Sequence, residues 1–249
     1  MIKFEEAVTN KKILVILPAY NEEGKIGTVV SKIKHSPNIR FPLNIAVVSD
    51  GSTDQTDQEA RAEGALVLKH ADNRGVGAAI RTGLSYAREN GYDIVIVMAG
   101  DDQDDPNEIP DILEPIVCNG YDFVQGSRRL FQTQTVDIPL FRRITTKVYS
   151  LIFSLLVKRR ITDGTNGFRA FKMSLLRDSR INLNQDWLNT YELEPYLYFK
   201  VLSLGYRVRE CQVTKIYHKA VIGYSKMVPF LDWWRIIKPI FLLAFRIKR

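Results

Sequence analysis

Residues 93–106 read Asp93-Ile-Val-Ile-Val-Met-Ala-Gly-Asp-Asp-Gln-Asp-Asp-Pro106, a short apolar run that is followed at once by acids. The run at residues 94–98 is rich in β-branched side chains and too short for a typical helix, so it predicts a strand buried on both faces. Four carboxylates then fall within five positions. Because like charges repel, such a cluster at the carboxyl end of a buried strand needs a cation or solvent beside it.

These acids form a segment that we call the acid loop, residues 99–105. Carboxylate oxygens suit hard cations such as Mg²⁺ or Mn²⁺, which are commonly held by one or two protein carboxylates together with substrate phosphates. The acid loop is therefore a candidate site for a divalent cation and a diphosphate. The same residues also fit a solvated turn that caps a helix beginning near Asn107. Its place at the end of a strand favours the metal site.

The composition is that of a folded protein, with 249 residues, 45% of them hydrophobic and 25% charged. The net charge of +7 is uneven: residues 128–172 hold ten basic and two acidic side chains, residues 235–249 hold five basic and none acidic, and the remainder is net −6. This asymmetry predicts an anionic partner that meets only part of the surface. Zinc-finger and RNA-binding signatures are missing, so we expect a membrane or a phosphate-bearing substrate and no nucleic acid.

The cysteines and the amino-terminal residues indicate the cellular compartment of the protein. Cys118 and Cys211 are far apart in sequence and have no accompanying His/Cys cluster, so free thiols in a reducing compartment are expected. The first 12 residues are polar and charged without an apolar core. We therefore expect no secretory signal and a cytoplasmic protein.

Apolar runs and helical patterns alternate along the chain, which predicts a mainly parallel sheet with right-handed crossovers. The predicted strands are residues 13–18, 44–48, 65–68, 94–98, 122–125 and 207–214, and residues 163–171 predict a turn that leads into a further short strand. Ligands bind beyond the carboxyl ends of such strands, so we expect Glu22, Asp50 and Asp101 to share one rim of the sheet. The glycine-rich segment 73–79 opens a predicted helix and either packs close to the sheet or contacts a phosphate.

An arginine-rich region follows the fifth predicted strand and contains Gly126-Ser-Arg-Arg129, Arg142-Arg143 and Lys158-Arg-Arg160. Residues 144–157, between the last two motifs, predict a helix that is strongly apolar on one side. A core helix explains the apolar side but not the basic ends, which are typical of a helix that lies at a membrane interface.

Seven short motifs follow one another along residues 12–227. They are Pro18-Ala-Tyr-Asn-Glu22, Asp50-Gly-Ser-Thr-Asp54, Asn73-Arg-Gly-Val-Gly-Ala-Ala79, Gly100-Asp-Asp-Gln103, Gly126-Ser-Arg128, Thr165-Asn-Gly-Phe-Arg-Ala-Phe171 and Ser225-Lys226. With these motifs in this order the sequence resembles the family 2 glycosyltransferases, and within them the polyprenyl-phosphate sugar synthases of the dolichol-phosphate mannose synthase type.

The resemblance implies an α/β fold of the GT-A type, in which a mainly parallel central sheet flanked by helices binds a nucleotide-diphospho-sugar. Residues 1–227 would form this single domain. The implied nucleotide-sugar site consists of Pro18, Tyr20, Glu22, Asp50, Gly100, Asp101, Asp102 and Gln103. Asp101 and Gln103 would also hold Mg²⁺ or Mn²⁺ on the diphosphate. The family's usual Asp-Ala-Asp motif reads Ala99-Gly100-Asp101 here, so its first acid is missing.

The implied reaction is an inverting transfer of a sugar from GDP-mannose or a UDP-hexose to a dolichyl or undecaprenyl phosphate. The acceptor phosphate is already an anionic nucleophile, so the protein supplies positioning and charge and needs no strong general base. Basic side chains suit phosphate oxygens. The candidate acceptor-phosphate ligands are Arg128, Arg142, Arg143, Arg169 and Lys226, of which Arg128, Arg169 and Lys226 join Asp101 as candidate catalytic residues.

Residues 228–249 form an aromatic and basic tail that predicts a helix. Its uninterrupted apolar run, residues 239–245, is far shorter than the roughly 20 residues needed to span a bilayer. Trp233 and Trp234 beside basic residues indicate a helix lying in a membrane interface, and packing on the catalytic domain or a dimer contact is the alternative. We therefore expect a peripheral protein on the cytoplasmic face of an anionic membrane. A homo-oligomer and a membrane-anchoring subunit stay open as partners.

Two other functions stay open. One is the same donor chemistry on a soluble glycan acceptor. The basic strip, residues 128–172, and the aromatic tail argue against such an acceptor. The other is a non-catalytic paralogue that binds nucleotide-sugar, and the missing acid at Ala99 is the feature that favours it. His218 is either a ligand of the diphosphate or metal, as the resemblance allows, or a structural residue.

Overall fold

The computed structural model describes residues 4–130, 140–216 and 231–248, with side chains omitted at 140–143 and 231–233. Its strands are β1 (Ile13–Ala19), β2 (Asn44–Asp50), β3 (Leu66–His70), β4 (Ile94–Val97), β5 (Phe123–Ser127), β6 (Arg169–Lys172) and β7 (Val208–Gln212). Its helices are α1 (Phe4–Thr9), α2 (Ile26–His35), α3 (Thr56–Ala62), α4 (Val76–Glu89), α5 (Ile109–Val117), α6 (Leu140–Val157), α7 (Leu193–Ser203) and α8 (Leu231–Ala244).

The strands form one sheet in the order β3-β2-β1-β4-β6-β5-β7. The pairs β1–β2, β2–β3, β1–β4 and β5–β7 are parallel, whereas β6 runs antiparallel to both β4 and β5. This confirms the mainly parallel α/β class, and each predicted strand lies within two residues of its observed bounds. Because β1 and β4 are parallel neighbours, the residues that follow them emerge at the same rim.

Helices cover both faces of the sheet, which gives three layers. Side chains alternate along each strand, so Leu14 and Ile16 of β1 face one hydrophobic core while Ile13 and Val15 face the other. The first core includes residues of α4, α6, α7 and α8, and the second includes residues of α1, α2, α3 and α5. Burial on both faces explains why β1, β2 and β4 contain continuous apolar runs.

Helix α6 begins four residues earlier than predicted, so Arg142 and Arg143 lie in its first turn and not in the preceding loop. It buries Tyr149 and Phe153 in the first core. The opposite side of the helix exposes an apolar stripe at helical spacing. The stripe consists of Ile144, Val148, Leu151 and Leu155, which are 51%, 50%, 61% and 69% exposed.

Helix α8 packs on the first hydrophobic core through one side. Ile240 and Leu243 are buried there, and the hydroxyl of Tyr149 in α6 donates to the carbonyl of Ile236 at 3.4 Å. The aromatic rings of Trp234 and Phe245 remain exposed. Among the described helices, none is long and apolar enough to cross a membrane.

Candidate functional site

The loops that follow β1 and β2 are joined at the rim by side chain to backbone hydrogen bonds. The backbone N–H of Asn21 donates to Ser52 Oγ at 3.1 Å, and the N–H of Thr53 donates to Asn21 Oδ1 at 2.9 Å. The N–H of Glu22 donates to Thr56 Oγ1 at 2.7 Å, while the Glu22 carboxylate pairs with Lys25 Nζ at 2.9 Å. The motifs at residues 18–22 and 50–54 therefore form one connected surface.

Asp50 organises the glycine-rich entry of α4. Its Oδ1 and Oδ2 accept the N–H groups of Arg74 and Gly75 at 2.9 and 2.7 Å. His70 Nδ1 lies 2.7 Å from Asp50 Oδ1, and its Nε2 lies 2.8 Å from Thr82 Oγ1. These backbone N–H groups are thus directed at a protein carboxylate, which favours the packing interpretation of segment 73–79 over phosphate contact.

The acid loop brings carboxylates together at the carboxyl end of β4. Asp101 Oδ1 accepts the N–H of Gln103 at 3.2 Å. Burial raises the pKa of Asp101; the ammonium of Lys215 opposes this, and the carboxylates of Asp104 and Glu22 add to it. The resulting pKa lies above the usual value. Asp101 therefore sits where a cation is electrostatically favoured.

The remaining acids of the loop have partners within the protein. Asp102 has a positive φ of 61° and pairs with Lys32 Nζ at 2.7 Å. Asp105 Oδ1 accepts the N–H of Asn107 at 3.0 Å, so this residue caps the turn that precedes α5, as the turn interpretation predicts. Gly100 is closely packed, since a Cβ there would lie 3.0 Å from Ile26 Cδ1.

The donor set of the acid loop fits a divalent cation that is shared with a substrate. A carboxylate whose pKa is raised by burial, with a further contribution from neighbouring carboxylates, gains from a hard cation, and the amide oxygen of Gln103 is a suitable second ligand. Among the described residues, no three His, Cys, Asp or Glu side chains converge into a ready-made metal cluster. Asp101 and Gln103 would therefore hold the ion weakly by themselves and more tightly together with phosphate oxygens.

Arg128, at the end of β5, is held by a buried carboxylate. Its Nε lies 2.6 Å from Asp163 Oδ2 and its Nη2 lies 2.9 Å from Asp163 Oδ1, and Nη2 also donates to Thr165 Oγ1 at 2.7 Å. Burial would raise the pKa of Asp163, but Arg128 and the hydrogen bonds outweigh it and hold this pKa below its usual value. This geometry favours a positioning role, because two of the guanidinium nitrogens are directed at protein oxygens.

Arg169 in β6 is also paired, and its exposed fraction is only 3%. Its Nη2 lies 2.9 Å from Glu194 Oε1 and donates to the carbonyl of Asn166 at 2.5 Å. Nε and Nη1 donate to the carbonyls of Gly167 and Glu194 at 3.2 Å each. All three guanidinium nitrogens thus contact protein oxygens, which favours a positioning role for Arg169 over direct contact with a phosphate.

The other predicted site residues fall into two groups. Pro18 is half-buried at the end of β1, and Tyr20, just beyond it, is 37% exposed at the rim. The side chains of Arg142 and Arg143 lie outside the described residues, although their backbone is in α6. Lys226 and His218 lie wholly outside the described residues, so their predicted roles remain predictions.

Several residues of the rim were missed by sequence reasoning. Lys215, Lys32 and His70 stand in no recognisable sequence motif. Asp163 stands in front of a matching motif but gave no sign of its pairing with Arg128. Only the tertiary structure identifies these partners, because each pair is distant in sequence.

The sequence of the chain is similar to sequences of known proteins. Residues 14–180 match the family model described as Glycosyl transferase family 2. The chain is 33% identical to a UDP-N-acetylglucosamine–dolichyl-phosphate N-acetylglucosaminyltransferase of Methanococcus voltae, over 68% of this chain and 73% of that protein. It is 28% identical to an undecaprenyl-phosphate mannosyltransferase of Micrococcus luteus, over 87% of each chain.

The fold also matches solved structures. One is glucosyl-3-phosphoglycerate synthase from Mycobacterium tuberculosis in complex with Mn²⁺, uridine diphosphate and glucosyl-3-phosphoglycerate. The TM-score is 0.72 at 20% identity, over 99% of this chain and 84% of that one. At this identity the likeness shows the GT-A type of fold and nothing about the acceptor.

Proposed function

The chain belongs to the family 2 glycosyltransferases, and from this premise we propose that it moves a sugar, with inversion, from a nucleotide-diphospho-sugar to a polyprenyl phosphate. The observation that carries the proposal is the match, along most of the chain, to relatives named for dolichyl-phosphate and undecaprenyl-phosphate acceptors. The donor sugar differs between those relatives. We therefore propose the acceptor class and leave GDP-mannose and UDP-hexoses as donors for the test.

The donor site is proposed at the rim formed by the loops after β1, β2 and β4. Tyr20, Glu22, Asp101 and Gln103 all follow the carboxyl ends of these strands, where ligands of α/β sheets bind. Asp101 and Gln103 would hold Mg²⁺ or Mn²⁺. Such an ion, when bound, neutralises the charge that develops on the leaving nucleoside diphosphate. The electrostatic support is the raised pKa of Asp101 among its acidic neighbours.

The acceptor phosphate is proposed to bind on the basic strip beside this rim. Arg142 and Arg143 at the start of α6, and Lys226 farther along the chain, remain the candidates for contact with the phosphate. Arg128 and Arg169 are proposed as positioning residues, since their guanidinium groups pair with Asp163 and Glu194. The nucleophile is a phosphate oxygen that already carries charge, so the residues need only orient it towards the anomeric carbon.

The membrane is proposed to meet the apolar stripe of α6 and the exposed rings of α8. Four exposed apolar side chains lie on one side of α6, and the exposed basic residues Lys147 and Lys158 lie on or beside that helix. Trp234 of α8 is 59% exposed. This combination supports a protein that lies in the headgroup region on the cytoplasmic face. The core contacts of α8 support its other predicted role, packing on the catalytic domain.

The test is transfer of a labelled sugar into lipid. The protein is incubated with Mg²⁺ or Mn²⁺, vesicles that contain a polyprenyl phosphate, and in turn labelled GDP-mannose, UDP-glucose and UDP-N-acetylglucosamine. We expect one donor to give label that extracts into organic solvent and depends on the polyprenyl phosphate. Label that appears only on a soluble acceptor would favour the soluble-acceptor alternative, and nucleotide binding without any transfer would favour the non-catalytic paralogue.

A further inference from the structure

A buried ammonium lies against the acid loop. Lys215 Nζ is 2.9 Å from Asp104 Oδ1, with 12% of the Lys215 side chain exposed and none of the Asp104 side chain. The other oxygen of Asp104 accepts the N–H of Ala99 at 3.1 Å. Asp104 therefore links the ammonium to the backbone at the first residue of the loop.

The segment around Lys215 is fastened to the acid loop along its length. Asp104 and Lys215 form an antiparallel β-bridge, and the N–H of Ile216 donates to the carbonyl of Gln103 at 2.8 Å. On the other side of Lys215, the N–H of Thr214 donates to the Glu108 carboxylate at 2.8 and 2.9 Å. These contacts hold Gln103 and Asp104 of the acid loop and Glu108 beyond it.

The charge balance of the site differs from that of the family pattern described above. Ala99 stands where the pattern has an acid, so the loop has one negative charge fewer, and the buried ammonium of Lys215 lies against the carboxylates that remain. Asp104 and Asp101 both stabilise the charged form of Lys215 against the effect of burial. The ammonium is therefore an internal counter-ion for two carboxylates of the loop.

We propose that Lys215 is a positioning residue that fastens the acid loop and, as a fixed counter-ion, lets a nucleoside diphosphate bind there with a reduced need for a divalent cation. The inference rests on the proposed function only in taking a nucleoside diphosphate as the donor group. A fixed cation reduces the repulsion between carboxylates and diphosphate, and it repels a second cation. Lys215 should therefore strengthen nucleotide binding and weaken binding of the divalent cation.

Loss of the Lys215 charge should therefore change the Mn²⁺ affinity and the nucleotide affinity in opposite directions, which can be measured. Lys215→Gln removes the charge but keeps a hydrogen-bond donor for Asp104, and Lys215→Arg keeps both. Mn²⁺ affinity is measured by electron paramagnetic resonance without nucleotide, and the affinities for UDP and GDP are measured by calorimetry in EDTA. For Lys215→Gln we expect Mn²⁺ to bind at least fivefold more tightly, and the preferred nucleotide to bind at least fivefold more weakly, than in the wild type. Lys215→Arg should stay close to the wild type in both.

Two outcomes would overturn the inference. Unchanged affinities in Lys215→Gln would show that the ammonium has no counter-ion role. Weakening of both affinities together would show a purely structural role, because a distorted loop loses both ligands. Lys215→Met is measured in the same way if Lys215→Gln does not fold. No acceptor is present in these measurements, so a failure of transfer to polyprenyl phosphate would contradict the proposed function and leave this result unaffected.

Discussion

At the scale of single residues, Asp101 is the side chain on which donor binding depends most in this account. Burial and the neighbouring carboxylates make its charged form unfavourable in the folded protein, as its raised pKa indicates. A carboxyl group whose pKa is raised by folding lowers the free energy of unfolding at pH values above its usual pKa. A bound cation would offset this unfavourable charge, so the contribution of Asp101 to function and its contribution to stability oppose each other.

We expect Asp101→Asn to reduce transfer by more than about 100-fold, because a metal ligand is lost, without lowering the melting temperature. Initial rates with saturating donor and thermal unfolding measure the two effects. Asp105→Asn, in the same loop, is the control: asparagine also caps well, so its activity should stay within about threefold of the wild type. Activity of Asp101→Asn close to that of the control would remove Asp101 from the metal site.

Substitution in the Arg128–Asp163 pair should lower stability, in contrast to substitution of Asp101. Removing one partner leaves a buried charge without its counter-ion, so we expect Asp163→Asn to lower the free energy of unfolding by about 3–5 kcal/mol at pH 7. The pKa of Asp163 is lowered in the folded state, so this stabilisation is present above its usual pKa of 3.8 and is lost as the pH falls below it. Urea unfolding at a series of pH values measures the difference.

Lys69→Ala is the matched control for that series. Lys69 pairs with Asp57 at 2.7 Å but is 52% exposed, and an exposed pair contributes at most about 1 kcal/mol. An equal loss of stability in Asp163→Asn and Lys69→Ala would argue against a special role for the buried pair.

Residue types in the sequence predicted which groups reach the rim but not what each of them contacts. Because guanidinium groups suit phosphates, the sequence predicts Arg128 and Arg169 as phosphate ligands. In the fold they meet Asp163 and Glu194, which are 35 and 25 residues away in the chain. No local pattern encodes such a pairing. The acid loop was easier to identify, because its four carboxylates are adjacent in sequence and follow a recognisable strand.

At the scale of secondary-structure elements, the entry of α4 depends on close backbone contact. Gly77 packs on the loop that precedes α7, and a Cβ on it would lie 2.2 Å from the carbonyl oxygen of Leu188. Arg81, one turn later, donates to the carbonyls of Leu183 and Gln185 at 3.1 Å each. The glycine-rich motif is therefore explained by the packing of this loop on α4.

We expect Gly77→Ala to destabilise the protein by about 1–3 kcal/mol, because the added methyl group forces the loop away from the helix. Gly27→Ala is a closely matched control, since Gly27 is likewise the second residue of its helix and its nearest Cβ contact would be 3.4 Å. Alanine there should be neutral or stabilising, as it favours helix. Chemical unfolding of both variants measures this, and equal stabilities would contradict the packing explanation.

The exposed stripe of α6 leads to a prediction about membrane binding. The chain should sediment with anionic vesicles at low salt and be largely released at high salt, since each basic residue near the surface contributes about 1 kcal/mol. Leu151→Gln with Leu155→Gln should weaken binding by about tenfold or more without lowering the melting temperature, because both leucines are more than half exposed. Leu66→Gln, on β3, is the control and should bind vesicles normally.

Point substitutions are preferable to removal of the tail in this experiment. Ile240 and Leu243 of α8 are buried in the first core, so deleting the helix would expose that core and confuse unfolding with lost lipid contact. Full-length protein that ignores anionic vesicles even at low ionic strength would contradict the membrane placement.

At the scale of the whole molecule, the alternation of strands and helices predicted the sheet and its layers, because the central parallel strands β1, β2 and β4 are short apolar runs buried on both sides. The antiparallel direction of β6 was not predictable from its four residues, since short strands pair in the direction that their connections allow. The family resemblance is confirmed by the match over residues 14–180. The choice of acceptor depends on surfaces that no short sequence motif defines.

The acceptor can be tested most directly by competition in a single reaction. Labelled donor sugar is supplied with the divalent cation to the full-length protein, together with vesicles containing a polyprenyl phosphate and an equal concentration of the soluble acceptor 3-phosphoglycerate. The account predicts that the label appears in the organic phase as a polyprenyl-phosphate sugar. Label that is found on the soluble acceptor, with none in the lipid, would contradict it.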